Sequence, residues 1–340
     1  MRCAVSCQGA GRVTGNVVRA LICHQLTGPN DLVLEEAFPA PESAPGAIRI
    51  EVSHAGVNFP DLLMTHGRYQ FRPELPFAPG LEVAGTVSEV ADDIGGFSVG
   101  DRVMAVVGYG GWASEVVAPA ATAFRAPEQL TYVEVAAFPL AFGTAIHALV
   151  DRAALQDGES LLVTGASGGV GMAAIQVGRL LGARVVAIVS SEEKRSLAAG
   201  LGADEVVVLR GDLRAQLREI SADGFDVIFD PVGGDQFEVL ARSLAWKGRL
   251  LVIGFASGAI PAVPANLALL KGASVVGVFW GSFTAREPDR NRELFDRLFD
   301  WVRTGQLRPH VSTILPLAQG ADALNAMAQR RLLGKAVLEV

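Results

Sequence analysis

The chain has 340 residues, half of them hydrophobic and 19% charged, so it can bury a large core and is not a disordered protein. At about 100–200 residues per domain, this length predicts two domains. A formal net charge of −7 excludes a general nucleic-acid binder, which needs an excess of positive charge. The three cysteines all lie within the first 23 residues, where they cannot cross-link the body of the protein. This usage fits a reducing cytoplasm.

Two segments bear on export and membrane insertion. Residues 1–18 contain no apolar run of signal-peptide length. We expect them to be a disordered arm or the translation of an upstream segment, rather than an added functional element. Residues 250–270 are uncharged and long enough to span a bilayer, but Pro261 and Pro264 would break a single helix. We therefore predict a buried strand, a loop and a short helix there, in a cytoplasmic protein without a membrane partner.

The segment from Arg19 to about Phe138 has the pattern of a β-rich domain. Strand-like alternation begins at 19–23 and resumes at 32–36, after a Gly-Pro-Asn-Asp turn. Further short strands between Gly and Pro turns are predicted at 47–57, 82–90, 101–107 and 113–118. Regularly spaced turns of this kind are typical of a barrel-like domain.

From about Asp157, apolar strands alternate with helices. The strands are predicted at 160–164, 184–189, 205–209, 226–229, 249–253 and 274–279, and the first three helices at 169–181, 191–201 and 212–220. Continuous Val, Ile and Leu runs are typical of parallel strands buried on both faces. Six of them predict an α/β doubly wound parallel sheet. The tail after about Asn291 returns to amphipathic helices, with strands at 309–315 and 335–339.

The most informative motif is the glycine-rich loop after the first of these parallel strands. It reads Leu161-Leu-Val-Thr-Gly-Ala-Ser-Gly-Gly-Val-Gly171 and leads into a helix. A dinucleotide pyrophosphate needs backbone N–H donors at a helix N-terminus with no Cβ in the way. Gly168 permits that approach, and Gly171 lets the helix pack on the strand. Because the motif joins a strand to a helix in a βαβ unit, it predicts dinucleotide binding.

Charge at the end of the second parallel strand indicates which dinucleotide is bound. An NAD enzyme places Asp or Glu there to hold the ribose 2′-hydroxyl, whereas this chain has Ser190, followed by Lys194 and Arg195. Serine, lysine and arginine suit a 2′-phosphate. NADPH is therefore the predicted cofactor. The alternative is that Lys194 and Arg195 lie on a solvated helix face beside Glu192 and Glu193.

These residues carry a family resemblance. The run Gly158-Glu159-x-x-Leu162, continued by Ala166-Ser167-Gly168-Gly169-x-Gly171 and by Gln176 and Arg179, resembles the signature of quinone oxidoreductase and ζ-crystallin. Those proteins are zinc-free members of the medium-chain dehydrogenase/reductase superfamily. The match extends over residues 19–340 through segments such as Ala55-Gly-Val-Asn-Phe-Pro-Asp61, Pro79-Gly-Leu-Glu-Val-Ala-Gly85, Asp230-Pro-Val-Gly233 and Gly334-Lys335.

The resemblance implies the domain organisation. A Rossmann NADPH-binding domain, at 140–284, would be a doubly wound parallel sheet inserted into a GroES-like β-rich catalytic domain made of 19–139 and 285–340. The active site would lie in the cleft between them. Members of the family commonly dimerise through the last Rossmann strand, here 274–279, so we expect a homodimer.

The resemblance also bears on metal. Zinc-dependent relatives place a Cys and a His ligand where this sequence has Asn58 and Leu81, and the histidines here show no ligand spacing. Oxidising an alcohol needs a Lewis acid to stabilise the alkoxide. A quinone or an α,β-unsaturated carbonyl does not, because conjugation spreads the charge that arrives with hydride. We therefore expect no metal and a quinone or enone as substrate.

Three side chains are candidate catalytic residues. Asn58 matches the family's cleft asparagine and is expected to hydrogen-bond the acceptor carbonyl or the nicotinamide ribose; alternatively it is a turn-forming residue before Phe59-Pro60. Tyr69 would orient nicotinamide or donate a proton, with a packing role as the alternative. Asp61 is better explained as a helix cap than as a catalytic group.

The predicted cofactor contacts share a position at loop ends and strand ends. They are Thr144, Ser167, Gly168, Gly169, Val170, Gly171, Ser190, Lys194, Arg195, Gly254, Phe255, Phe279 and Trp280. Strand C-terminal ends are where such sheets bind ligands, although Phe255, Phe279 and Trp280 also fit a packed core.

Three functional hypotheses follow. The first is an NADPH-dependent, metal-free reductase of quinones or other electron-poor conjugated carbonyls. The second is an enoyl-thioester or alkenal reductase. The third is an NADPH-binding protein with a structural role, as in crystallin relatives.

Overall fold

The computed structural model describes residues 16–340. Their strands are β1 (Val17–Cys23), β2 (Leu32–Pro39), β3 (Ala47–Gly56), β4 (Glu82–Val90), β5 (Arg102–Val106), β6 (Glu115–Pro119), β7 (Ala123–Arg125), β8 (Ser160–Val163), β9 (Arg184–Val189), β10 (Glu205–Val208), β11 (Phe225–Asp230), β12 (Leu244–Val252), β13 (Ser274–Gly277), β14 (Val311–Pro316) and β15 (Lys335–Glu339). The α-helices are α1 (Phe59–Thr65), α2 (Tyr132–Ala136), α3 (Pro139–Ile146), α4 (Gly169–Leu180), α5 (Glu192–Gly200), α6 (Leu213–Ile220), α7 (Phe237–Arg242), α8 (Ala265–Lys271), α9 (Trp280–Arg286), α10 (Pro288–Arg303) and α11 (Gly320–Ala328).

Six strands form a parallel sheet in the order β10-β9-β8-β11-β12-β13. Alternate residues of β8 point to opposite faces: Leu161 packs with α4 in one apolar cluster, and Leu162 packs with α6 and α7 in another. Burial on both faces explains why the sequence shows continuous apolar runs here. The predicted doubly wound α/β sheet is confirmed.

The second sheet has the order β14-β15-β3-β4-β5-β7, with β6 also paired to β3. β15 is antiparallel to β3, and β14 is parallel to β15. Strands from before and after the parallel sheet therefore share one layer, as expected for a GroES-like domain with an inserted Rossmann sheet. The exact residue limits of the two domains stay a prediction.

Two expectations about unusual segments can be compared with the structure. β1 begins at Val17 and buries Val18, so the predicted arm of residues 1–18 is too long by two residues. The expectation of disorder otherwise falls on residues 1–15, outside the described residues. The uncharged stretch 250–270 forms the end of β12, a loop and most of α8, as predicted. No helix within residues 16–340 has the length and apolar character needed to cross a bilayer.

Candidate active site between the two sheets

The glycine-rich loop joins β8 to α4 in a conformation that requires glycine. Gly165 has a φ of +55°, in the left-handed region. A Cβ on Gly171 would lie 2.4 Å from the Gly165 carbonyl oxygen. The Ala166 amide donates to Ile188 O at 3.2 Å, which ties the loop to β9. No side chain caps α4 at Gly168, so the first amides of this 12-residue helix are left for a ligand. This cradle fits the pyrophosphate of a dinucleotide.

A buried carboxylate holds the loops beside this cradle. Asp230, at the end of β11, accepts a hydrogen bond from Thr164 Oγ1 at 2.5 Å and from the Val232 and Gly233 amides at 3.0 and 3.2 Å. The Ala256 amide in turn donates to Pro231 O at 3.0 Å. The loops after β8, β11 and β12 are therefore linked at one edge of the sheet, where predicted contacts Gly254 and Phe255 lie.

The end of β9 carries a small basic group. Lys194 Nζ donates to Ser190 Oγ at 3.1 Å and to Arg330 O at 3.4 Å. Arg195 points elsewhere: its Nε donates to Glu192 at 2.7 Å, on the same face of α5. Of the two predicted cations, Lys194 is beside Ser190, while Arg195 is held in the helix-face pair that the sequence left open as an alternative.

Asn58 stands at the N-cap of α1 and belongs to a buried polar cluster. Its Nδ2 donates to Glu82 Oε1 at 2.9 Å, and its Oδ1 accepts from Lys335 Nζ at 2.5 Å. Lys335 also donates to Glu82 Oε1 at 2.6 Å, and Glu82 is fully buried. The second Glu82 oxygen accepts from the Leu140 amide at 2.8 Å. Residues from β4 and β15 thus contact Asn58, and α3 holds Glu82 in place.

Asp61 lies in α1 next to this cluster and is fully buried. Its carboxylate accepts hydrogen bonds from the backbone N–H of Asn58 at 2.8 Å and from the backbone N–H of Gly80 at 3.0 Å. Burial raises the pKa of Asp61 to about 7, although the two amide hydrogen bonds and the Lys335 charge lower it. Both oxygens serve the backbone around the helix start, so the structure places Asp61 in the capping role that the sequence favoured over catalysis.

Leu81 and Asn58 stand at the two positions that the family resemblance compares with zinc ligands. Leu81 is buried in an apolar cluster with Met64 and Phe77, and Asn58 is held as above. The described part of the chain contains no group of three or more His, Cys, Asp or Glu side chains arranged to hold a metal ion.

Comparison with known proteins connects this geometry to a family. Residues 44–128 match the model of the alcohol dehydrogenase GroES-like domain, and residues 169–300 match that of the zinc-binding dehydrogenase. Quinone oxidoreductase-like protein 2 from Bos taurus is 39% identical over 342 residues, covering 99% of this chain and 96% of that protein. The chain belongs to the medium-chain dehydrogenase/reductase family. Its resemblance to the quinone oxidoreductase group is thereby confirmed.

Solved structures of this family agree with the fold. A probable oxidoreductase from Mycobacterium abscessus has a TM-score of 0.86 and 36% identity, covering 96% of this chain and 99% of that one. A mycobacterial protein solved in complex with NADPH has a TM-score of 0.88 and 30% identity, covering 95% and 100%.

The remaining predicted residues of this dehydrogenase/reductase chain differ in how exposed they are. Tyr69 is half-buried and packs against the apolar cluster that contains Phe77 and Leu81; burial raises its pKa, and the Asp61 charge adds to the effect. Its hydroxyl therefore stays protonated at neutral pH. Thr144 is 9% exposed in α3, and Phe279 is 55% exposed at the start of α9.

Trp280 has the core-packing role that the sequence left open as its alternative. It is 5% exposed, its Nε1 donates to Asn291 Oδ1 at 3.0 Å, and a Cβ on Gly143 would lie 2.4 Å from its ring. Its ring also stacks on Phe295 at a centroid distance of 6.1 Å. The indole is thus part of the core that joins α3 to α9 and α10.

Sequence reasoning missed the role of three residues at the site. Glu82 and Lys335 were recognised only as letters of family segments, and Arg330 was not noticed. Each meets its partner from more than 100 positions away along the chain. For Glu82 and Lys335 the available signal was a charged residue at the first position of a strand whose next residues are apolar, because a charge buried there must be paired. Arg330 left no such signal, because it contributes only its backbone carbonyl.

Proposed function

We propose that this chain is an NADPH-dependent quinone oxidoreductase that reduces quinones or other electron-poor conjugated carbonyls without a metal ion. The observation that carries the proposal is the Asn58 amide, held by Lys335 and Glu82 where the family's zinc-dependent members have a metal ligand. An amide N–H suits an acceptor whose developing charge is spread by conjugation and needs only a hydrogen bond.

The residues around the cradle support a nicotinamide dinucleotide as cofactor. The first amides of α4 would bind the pyrophosphate, and Ser190 with Lys194 would bind the 2′-phosphate of the adenosine ribose. No carboxylate follows β9 directly, since Ser190 and Ser191 stand there. The mycobacterial relative solved with NADPH supports the same choice. When bound, the reduced nicotinamide supplies the hydride.

The chain's own side chains would then orient the acceptor and keep water away. Asn58 would donate a hydrogen bond to the acceptor oxygen. Leu81, with Tyr69 and Leu140 packed against the same cluster, would give the nearby wall its apolar character. Tyr69, whose raised pKa keeps it protonated, would supply a second donor. Holding the reactants in a dry cleft supplies the proximity that hydride transfer needs.

We also propose that the protein is a homodimer. β13 is the edge strand of the parallel sheet and pairs only with β12 among the described strands. An exposed edge can pair with the same edge of a second copy about a twofold axis. Sedimentation equilibrium tests this directly, and a monomer at micromolar concentration would contradict it.

The proposed activity is tested with purified protein, NADPH and a panel of acceptors. We expect NADPH oxidation with 1,4-benzoquinone and 9,10-phenanthrenequinone, unchanged by EDTA and much slower with NADH. Turnover of crotonyl-CoA far above that of the quinones would instead select an enoyl-thioester reductase. Tight NADPH binding with no turnover of any quinone or enone would favour the non-enzymatic alternative.

A further inference from the structure

The Gly334-Lys335 pair lies between the cofactor cradle and Asn58. The Gly334 amide donates to Ser167 O in the glycine-rich loop at 3.0 Å. A Cβ on Gly169 would lie 3.3 Å from Lys335 Cδ, so the lysine stem runs along the start of α4. From there the ammonium reaches Asn58. One short segment therefore touches both halves of the proposed site.

All three protons of the Lys335 ammonium are already used. They are donated to Val57 O at 3.1 Å, Asn58 Oδ1 at 2.5 Å and Glu82 Oε1 at 2.6 Å. The lysine is 5% exposed. A saturated, buried ammonium has no donor left for substrate or cofactor, so Lys335 acts only through its partners.

These contacts determine which way the Asn58 amide points. An ammonium can only donate, so the Asn58 atom that faces it must be the carbonyl oxygen. The Asn58 nitrogen gives one proton to Glu82 Oε1 at 2.9 Å. One N–H remains, and the amide oxygen is occupied. Asn58 can therefore offer a ligand a hydrogen-bond donor but not a free acceptor.

Glu82 holds this arrangement in place from the other side. Its Oε2 accepts from the Leu140 amide, while its Oε1 accepts from both Asn58 and Lys335. The carboxylate and the ammonium neutralise each other, so the cluster adds no net charge beside the cradle. Glu82 and Lys335 are fixed by different pairs of elements. Glu82 lies in β4 and bonds α3, whereas Lys335 lies in β15, which pairs with β3.

We propose that Lys335 and Glu82 are positioning residues that lock the Asn58 amide with its free N–H available to an oxygen of the acceptor. This inference rests on the proposed function, because Asn58 contacts the acceptor only if the reaction takes place here. The new element is that the ability of Asn58 to donate a hydrogen bond to the acceptor depends on Lys335, which lies 277 positions away along the chain. Ligands that present only a donor to Asn58 should not be bound.

The test uses the charge-neutral double variant Lys335→Met/Glu82→Gln, because Lys335→Met alone leaves a buried carboxylate unpaired. In the double variant the Leu140 amide still needs an oxygen, so the amide nitrogen introduced by Glu82→Gln faces Asn58. Because the lysine no longer holds Asn58 Oδ1, the Asn58 amide turns over to accept from that nitrogen, and its free N–H is moved away from the acceptor. We expect kcat for 1,4-benzoquinone to fall at least tenfold, with the KM for NADPH changed less than threefold. Lys271→Met is the control, since Lys271 also bonds a backbone carbonyl but lies in α8.

A double-mutant cycle separates positioning from a structural role. The same two substitutions are made in an Asn58→Ala background, and thermal unfolding of every variant is recorded. If Lys335 and Glu82 act through Asn58, they cause no further loss of kcat there. An equal loss in both backgrounds, or no loss in either, overturns the proposal.

A measurement without turnover keeps the two proposals distinguishable. In protein labelled with ¹⁵N-asparagine, the Asn58 side-chain signals are those absent from Asn58→Ala. We expect one Asn58 amide proton to be protected from exchange with water in the wild type and exposed in the double variant. Protection in an inactive wild type would refute the activity but support the positioning. If the wild type is active and the Asn58 amide proton is protected to the same extent in the double variant, only the positioning role is refuted.

Discussion

The cofactor cradle and the Asn58 cluster are built in opposite ways. The cradle comes from one continuous run of 11 residues, 161–171, whose glycines set the backbone directly. The cluster is assembled from α1, β4, α3 and β15, and its central contact joins residues 277 positions apart. A site formed by local backbone can be predicted from a sequence motif. A site formed by side chains that pair across the fold can be identified only from the structure.

The largest effect on stability is expected in the cluster, from Glu82→Gln. Removing the carboxylate leaves the Lys335 ammonium buried without its counter-charge, and such losses cost about 3–5 kcal/mol. We expect this decrease in the free energy of unfolding, measured by urea denaturation. Glu238→Gln is the control, because its exposed i,i+4 pair with Arg242 should contribute only about 0.3–0.5 kcal/mol. Equal effects at the two positions would show that the cluster does not depend on its charges.

In the cradle, Gly171→Val should act mainly on cofactor binding. Its Cβ would meet the Gly165 carbonyl oxygen at 2.4 Å and Ala166 Cα at 2.8 Å, both backbone atoms that cannot move aside. We expect NADPH binding to be lost in fluorescence titration, with up to about 3 kcal/mol of lost stability from overpacking. Gly200→Ala in α5 is the matched control, since nothing lies within 4 Å of its Cβ. Unchanged NADPH affinity in Gly171→Val would contradict the cradle.

The pH dependence of stability distinguishes Asp61 from the rest of the cluster. The pKa of Asp61 is raised to about 7 in the folded state. Its contribution to the free energy of unfolding is therefore fully present below about pH 4, where the carboxyl is also protonated in the unfolded chain. That contribution is lost as the pH rises toward 7, by at most about 1.4 kcal/mol per pH unit. We expect urea denaturation to show this slope in the wild type and a flatter one in Asp61→Asn. Parallel slopes would contradict the raised pKa.

At the adenosine end of the cradle, Lys194→Ala should have the smallest effect of the four. Loss of one partly exposed charge-assisted contact should weaken NADPH binding by about 1–2 kcal/mol, roughly tenfold, and leave NADH binding unchanged. Arg218→Ala on α6 serves as the control. A similar loss for both nucleotides would show that Lys194 does not contact the 2′-phosphate.

The same contrast explains what the sequence could predict. The positions of β9, β15 and the cradle were predicted correctly, because the spacing of apolar residues and of glycines is visible within a short stretch of the sequence. β12 starts at Leu244, five residues before the predicted strand, because Leu244 pairs with Phe225. Residues 245–248, with Lys247 at a φ of +62°, form an irregularity before the regular pairing resumes at Arg249. For Trp280 the sequence left a cofactor contact and core packing both open, because its position after β13 is visible in the sequence while its partner Asn291 in a later helix is not.

The pairing of β15 with β3 has a consequence for how the chain folds. β3 and β4 are close in sequence and can pair early, but the other partner of β3 at Ala55 is Leu338. β6 covers residues 47–51 of that edge of β3, but residues 54–56 have unsatisfied amides and carbonyls until β15 arrives. Such an open edge favours pairing with foreign strands. Contacts of such sequence separation also slow folding. Because β15 also carries Lys335, completion of the site and protection of this open edge depend on the same strand pairing.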